Sequence, residues 1–251
     1  MPSIAELRAV TQPASLLARP GAEHWAGRLY MRRLSPYLTR LLVSAPLSPN
    51  AVTALMLPTS LLAALSLSFP GIVTAVGAVL LAQLQLLLDC SDGELARWRR
   101  SFSPVGLYLD QVAHSVAEAA LPAALGVRAD GGWDSMGGWT TVGLVVSVLI
   151  LLLKSETHLI EVALGRMDRP VAEEASQPSG RFRLRQGWRL VPFLRPFHWV
   201  EATLLALAAA VVDAIAGDLA GSRGLLLVLV AAAFVAVVGN LISILASDRL
   251  R

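Results

Sequence analysis

Six apolar runs dominate the chain, at about Ala51–Ser68, Ile72–Arg97, Pro104–Val127, Thr140–Leu164, Trp199–Ile215 and Gly224–Ala246. At ~1.5 Å of rise per residue, each crosses or nearly crosses a hydrocarbon core about 30 Å thick. Lipid offers backbone N–H and C=O groups no partners, so runs of this length fold as helices that satisfy their own hydrogen bonds. The expected fold is an all-α integral membrane protein with six transmembrane helices.

The rest of the composition agrees. Hydrophobic residues make up 55% of the 251, too many for an ordinary soluble domain. The single cysteine, Cys90, excludes an internal disulfide, and no Cys/His cluster has zinc-site spacing. Arginine sits beside the apolar runs rather than in any nucleic-acid motif, so lipid headgroups and phosphorylated substrates are the expected partners and nucleic acid is not. Before the first run, Arg28, Arg32, Arg33 and Arg40 alternate with Leu29, Tyr30, Leu34, Tyr37, Leu38 and Leu41, the pattern of a helix lying in the membrane interface. Residues 1–48 therefore read as an arm with an interfacial helix, and 49–251 as a six-helix membrane catalytic domain.

Eighteen of the 21 Lys and Arg residues fall in the arm, the second-to-third and fourth-to-fifth connections and the C-terminus. Six crossings put all of these on one side, which the positive-inside rule makes cytoplasmic. The expected protein is multi-pass, in a bacterial plasma membrane, with both termini on the inner side.

The chemistry-bearing stretch lies there too. On a helix, Asp89, Asp92, Gly93, Ala96 and Arg97 share one face, at i, i+3, i+4, i+7 and i+8. After a break at Ser101–Pro104, Gly106, Asp110 and His114 recur every fourth residue on the next helix. Two facing helices with carboxylates near a membrane surface can hold a hard divalent cation such as Mg2+ or Mn2+. On composition alone, salt bridges from Arg97, Arg99 and Arg100 would account for the acids equally well.

The order D-x2-D-G-x2-A-R-x8-G-x3-D resembles the signature of the CDP-alcohol phosphotransferases, a family of integral membrane enzymes, through Asp89, Asp92, Gly93, Ala96, Arg97, Gly106 and Asp110. Pro49–Thr53 resembles the family's entry segment. The one departure is His114, where the family has a further Asp. The resemblance implies that Asp89, Asp92 and Asp110, with His114 at the fourth position, bind one or two Mg2+ or Mn2+ ions. It also implies a CDP site at Asp92, Gly93, Ala96, Arg97 and Gly106, and catalytic roles for Asp110 and His114. The implied reaction transfers a substituted phosphate from a CDP-alcohol, with CDP-diacylglycerol the expected donor, to an alcohol or polyol phosphate with release of CMP, in phospholipid or polar-lipid synthesis. The family resemblance further implies a homodimer. The signature's final Asp is the family's proton acceptor, and imidazole is intrinsically capable of that task near neutral pH.

Lys154, Glu156, His158 and Glu161 crowd the inner half of the fourth run. They form either an internally paired cluster or, with Arg166 and Arg195 of the following connection, a site for the acceptor or a lipid phosphate. Two other readings compete: a metal-dependent enzyme acting on a prenyl diphosphate, and a nonenzymatic cation-binding membrane protein.

Overall fold

A computed structural model of the chain describes residues 1–13, 25–163 and 198–246. Among the described residues there is no strand. Eight α-helices follow one another: α1 Ile4–Thr11, α2 Arg32–Ser44, α3 Pro49–Ser68, α4 Ile72–Arg99, α5 Pro104–Asp130, α6 Gly138–Ala163, α7 Trp199–Ala216 and α8 Ala220–Leu245. Five of them, α3, α4, α6, α7 and α8, are long and apolar enough to cross a membrane. The expected sixth span, α5, is present with 27 residues but stands apart from those five, because Asp110, His114, Glu118, Arg128 and Asp130 interrupt its apolar sequence. The amphipathic helix of the arm is α2, which buries Ser35, Pro36, Thr39 and Leu42 and exposes Leu34, Tyr37 and Leu41. The eight-residue α1 is an element that the hydropathy pattern does not announce.

The chain's contacts divide into two units, Met1–Ala63 with Leu80–Ala117, and Ala64–Val79 with Glu118–Arg251. In the first, Leu42 of α2, Val52 and Met56 of α3, Leu88 and Leu95 of α4 and Ala113 of α5 form one apolar cluster. Each helix starts and stops for local reasons. Ser48 caps α3, its Oγ accepting from the Ala51 N–H at 3.1 Å, and Pro49 follows at the position where a missing N–H costs nothing. The α4–α5 break is a Schellman turn: the Ser101 N–H reaches Ala96 O at 3.0 Å and the Arg100 N–H reaches Arg97 O at 3.3 Å. The left-handed position of that turn holds Arg100, at φ 52°, where glycine is the usual occupant. Ser103 then caps α5 by accepting from the Gly106 N–H at 3.0 Å.

In the second unit, glycines let helices touch. A Cβ on Gly143 of α6 would stand 2.4 Å from Pro122 O of α5, and one on Gly126 of α5 would stand 2.6 Å from Trp139 O. Such crossings, backbone against backbone, are how small residues join helices in lipid. Arg128, 1% exposed, closes the unit: its Nη1 donates to Phe69 O at 2.8 Å and Gly71 O at 3.0 Å, its Nε donates to Ser222 Oγ at 3.2 Å, and Asp213 Oδ2 lies 3.8 Å away. Asp213, for which the sequence suggested no role, also accepts from the Ser222 N–H at 2.9 Å and so anchors the first turn of α8. Truncating Arg128 to Ala strands a buried carboxylate and several carbonyls. The expected loss is about 3 kcal/mol, and Arg128→Ala with Asp213→Ala should lose less than the two single changes added, as read by thermal unfolding in detergent.

Candidate active site

The signature residues all lie in the first unit, on α4 and the first half of α5. Asp89, Asp110 and His114 converge: one ligand atom from each lies within 4.8 Å of the other two. His114 is set by its own helix. Its Nδ1 is 3.0 Å from the Asp110 backbone carbonyl and 3.2 Å from Asp110 Oδ1, and its Nε2 is 3.8 Å from Asp89 Oδ1. A carbonyl oxygen can only accept, so Nδ1 carries a proton, and Nε2 is the ring nitrogen turned toward Asp89. Histidines that ligate metals are commonly oriented through their other nitrogen in this way. Two carboxylates and an imidazole so spaced fit the donor preferences of a divalent cation such as Mn2+ or Mg2+.

Asp92 stands apart from that group of three. Its Oδ2 accepts from Thr53 Oγ1 of α3 at 2.5 Å, an interaction that explains why Thr53 belongs to the entry segment. Gly106 faces the same helix. A Cβ there would fall 2.6 Å from Asn50 Oδ1, which also accepts from Ser103 Oγ at 3.0 Å, so this glycine admits Asn50 between α3 and α5. Ala96 is buried on α4. At Gly93 a Cβ would lie 3.4 Å from both Nη1 and Nη2 of Arg97, whose guanidinium therefore lies down over the glycine.

Arg97 and Arg99 are hydrogen-bonded to carbonyls at helix ends. Arg97 Nε donates to Thr11 O at the end of α1, at 2.6 Å. Arg99 reaches the end of α2, where Leu42 O, Ala45 O and Val43 O accept from Nη2 at 3.1, 3.0 and 3.3 Å and Leu47 O accepts from Nη1. Both follow the preference of cations for the negative end of a helix.

Sequence reasoning missed Glu94, which lies between Gly93 and Leu95 and is 0% exposed. Ser35 Oγ donates to it at 2.5 Å, Thr39 Oγ1 at 2.7 Å, Gln12 Nε2 at 2.7 Å and Arg32 Nη1 at 3.3 Å. The available signal was a carboxylate on the side of α4 turned away from the Asp89 stripe, with hydroxyls four residues apart in α2 to meet it.

The second unit holds Lys154 and His158 of α6. Lys154 Nζ is 2.9 Å from Glu118 Oε2 of α5, Glu156 Oε2 accepts from Asn240 Nδ2 of α8 at 2.9 Å, and His158 is exposed. Interhelical pairing thus occupies Lys154 and Glu156. Arg166 and Arg195 lie outside the described residues.

Fold and site together define a multi-pass, all-helical membrane protein carrying a carboxylate–imidazole cluster suited to a divalent cation. The sequence profile of the CDP-alcohol phosphatidyltransferases matches residues 47–172, just over half of the chain, and the protein belongs to that family. A bifunctional IPC transferase and DIPP synthase from Aquifex aeolicus (strain VF5) is 32% identical over 118 residues, 47% of this chain. The match spans 25% of that relative's length.

Replacing Glu94 by Ala removes the acceptor of four donors and leaves Ser35 and Thr39 buried without it. The expected cost is on the order of 3 kcal/mol, while Glu94→Gln, which keeps one acceptor oxygen, should lose less; denaturation in detergent distinguishes them.

Proposed function

We propose that this protein is a metal-dependent CDP-alcohol phosphotransferase that moves a substituted phosphate from CDP-diacylglycerol to an acceptor alcohol and releases CMP. The observation that carries this reading is the convergence of Asp89, Asp110 and His114 on the helix pair that bears the family signature. Asp89 and Asp110 would hold the cation, and Asp92, tethered by Thr53 through one oxygen, would lend the other. The bound ion would neutralise the diphosphate and stabilise the leaving CMP.

The remaining work falls to the chain's own side chains. Arg97 faces the diphosphate, with Gly93 leaving its guanidinium room to lie flat. His114 Nε2 takes the proton of the acceptor hydroxyl as its oxygen attacks the phosphorus that carries the donor alcohol. A P–O ester bond forms there, the bridging P–O bond breaks, and CMP departs with that bond's electrons. The Asp110 contacts at Nδ1 hold the ring in the required tautomer and stabilise the imidazolium that results. Arginine placement supports putting this chemistry at the cytoplasmic side of a bacterial plasma membrane, and the resemblance to the family supports a homodimer as the active form.

A relative that is a bifunctional IPC transferase and DIPP synthase leaves the donor open, and a soluble CDP-polyol used with a polyol phosphate or lipid acceptor is the second donor class in view.

The test is CMP release by purified protein in lipid, with Mg2+ or Mn2+, CDP-diacylglycerol or a CDP-polyol, and a panel of polyols and their phosphates. Release is expected to need both metal and one acceptor, and to stop on addition of EDTA. Asp89→Asn and Asp110→Asn should abolish it. His114→Ala should slow it by about 10²-fold or more while retaining metal-dependent donor binding. Loss of metal binding in His114→Ala would instead make the imidazole a ligand. Diphosphate cleavage without CMP release would favour a prenyl-diphosphate type of chemistry.

A further inference from the structure

The N-terminal helix reaches the signature helix through polar contacts that a purely packing role would not need. α1 is a well-made element: Ser3 Oγ accepts from the Glu6 N–H at 3.2 Å, Glu6 Oε2 accepts from the Ser3 N–H at 2.7 Å, and Leu7 is fully buried. Its last carbonyl, Thr11 O, is the acceptor for Arg97 Nε at 2.6 Å. The next residue, Gln12, fixes that carbonyl in place, because its Nε2 donates to Glu94 Oε1 at 2.7 Å and to Arg32 O at 2.9 Å. Arg8 Nη2 adds a tie to Arg33 O at 3.1 Å.

Arg97 is consequently gripped by one atom only. Its Nε is bound to the end of α1, the flat of its guanidinium rests over Gly93, and Nη1 and Nη2 make no hydrogen bond among the described residues. A guanidinium held at Nε presents its two terminal nitrogens as a preformed fork, the geometry that two phosphate oxygens accept. An arginine left free would have to lose rotamer freedom on binding, and fixing it beforehand removes that cost.

We propose that the segment Ile4–Gln12 is a positioning clasp for the nucleotide diphosphate: the Thr11 carbonyl aims Arg97, and Gln12 is the positioning residue that locks the carbonyl to Glu94 and α2. The proposal rests on the CDP-alcohol reading for the ligand's identity. It adds that a segment before the signature, and outside residues 47–172 that match the family, sets donor affinity.

The experiment is a double-mutant cycle on binding of CDP, the moiety common to donors of this class, by isothermal titration in the presence of Mn2+. Gln12→Leu should weaken CDP binding about tenfold, and Arg97→Ala should weaken it at least as much. In the Arg97→Ala background Gln12→Leu should then have no further effect, since its only route to the ligand is through Arg97. Mn2+ affinity measured without nucleotide should stay the same in Gln12→Leu, because Ser35 and Thr39 still hold Glu94 and with it the rotation of α4. Equal losses in both backgrounds, or a parallel fall in Mn2+ affinity, would reduce α1 to a structural support and overturn the clasp alone. Failure of the unaltered protein to bind CDP would overturn the nucleotide reading and the clasp with it. Should Gln12→Leu fail to fold, Gln12→Asn, which keeps the amide and shortens its reach, makes the same comparison.

Discussion

A carboxylate with no exposure must be hydrogen-bonded from several sides, and Glu94 meets that demand by drawing on α2 and the end of α1 at once. Its donors come from α2 and from the residue after α1, so satisfying it fixes where those elements meet α4. One residue to its N-terminal side is Gly93 and three to its C-terminal side is Arg97, whose orientations follow from the same docking. The side of α4 that carries Asp89 and Asp92 is thereby held rigid by polar contacts on its other side. An apolar contact there would define distance but not rotation, and rotation decides whether the carboxylates face α5.

The same logic recurs in the second unit with the signs reversed. Arg128 is a buried cation whose partners are mostly backbone carbonyls, at the Phe69–Gly71 turn, with Asp213 and Ser222 completing the shell. Carbonyls freed by a helix end or a tight turn have no partner in lipid, and an arginine can serve two of them at once. Arg99, reaching four residues at the end of α2, does this near the candidate site. Arg97 and Arg99, two of the arginines that follow the acidic stretch, are thus committed to carbonyls at helix ends.

What the sequence made legible follows from what periodicity and composition measure. The start of α4 at Ile72, the start of α5 at Pro104 and the start of α7 at Trp199 agree with the apolar pattern, because turn and cap residues punctuate it there. The Asp89, Asp110 and His114 convergence was legible because helical spacing alone puts each on its stripe. Glu94, Arg128 and Asp213 were not, since a polar residue inside an apolar run has the same appearance whether it faces a ligand or a partner helix, and the partner is tens of residues away. Glu118 illustrates the ambiguity. Its register puts it one turn beyond His114 on the same helix, yet the side chain pairs with Lys154 of α6.

His114 is the point where this chain parts from the family's pattern, and its helix supplies the reason that the change is tolerable. A carboxylate at that position would add a third negative charge beside Asp89 and Asp110, and like charges at such distances oppose one another strongly where little water intervenes. Imidazole lowers that repulsion while still offering a lone pair. Nε2 points toward Asp89 because the backbone carbonyl one turn back claims Nδ1, a constraint that any helix imposes on a histidine in this rotamer and that needs no neighbouring side chain. The substitution therefore exchanges charge for direction. In the proposed reaction, a site with one charge fewer would bind its cation less tightly, and affinity for the anionic diphosphate would then depend more on other cationic groups, which would make a preset Arg97 more consequential than it would be beside a full set of carboxylates.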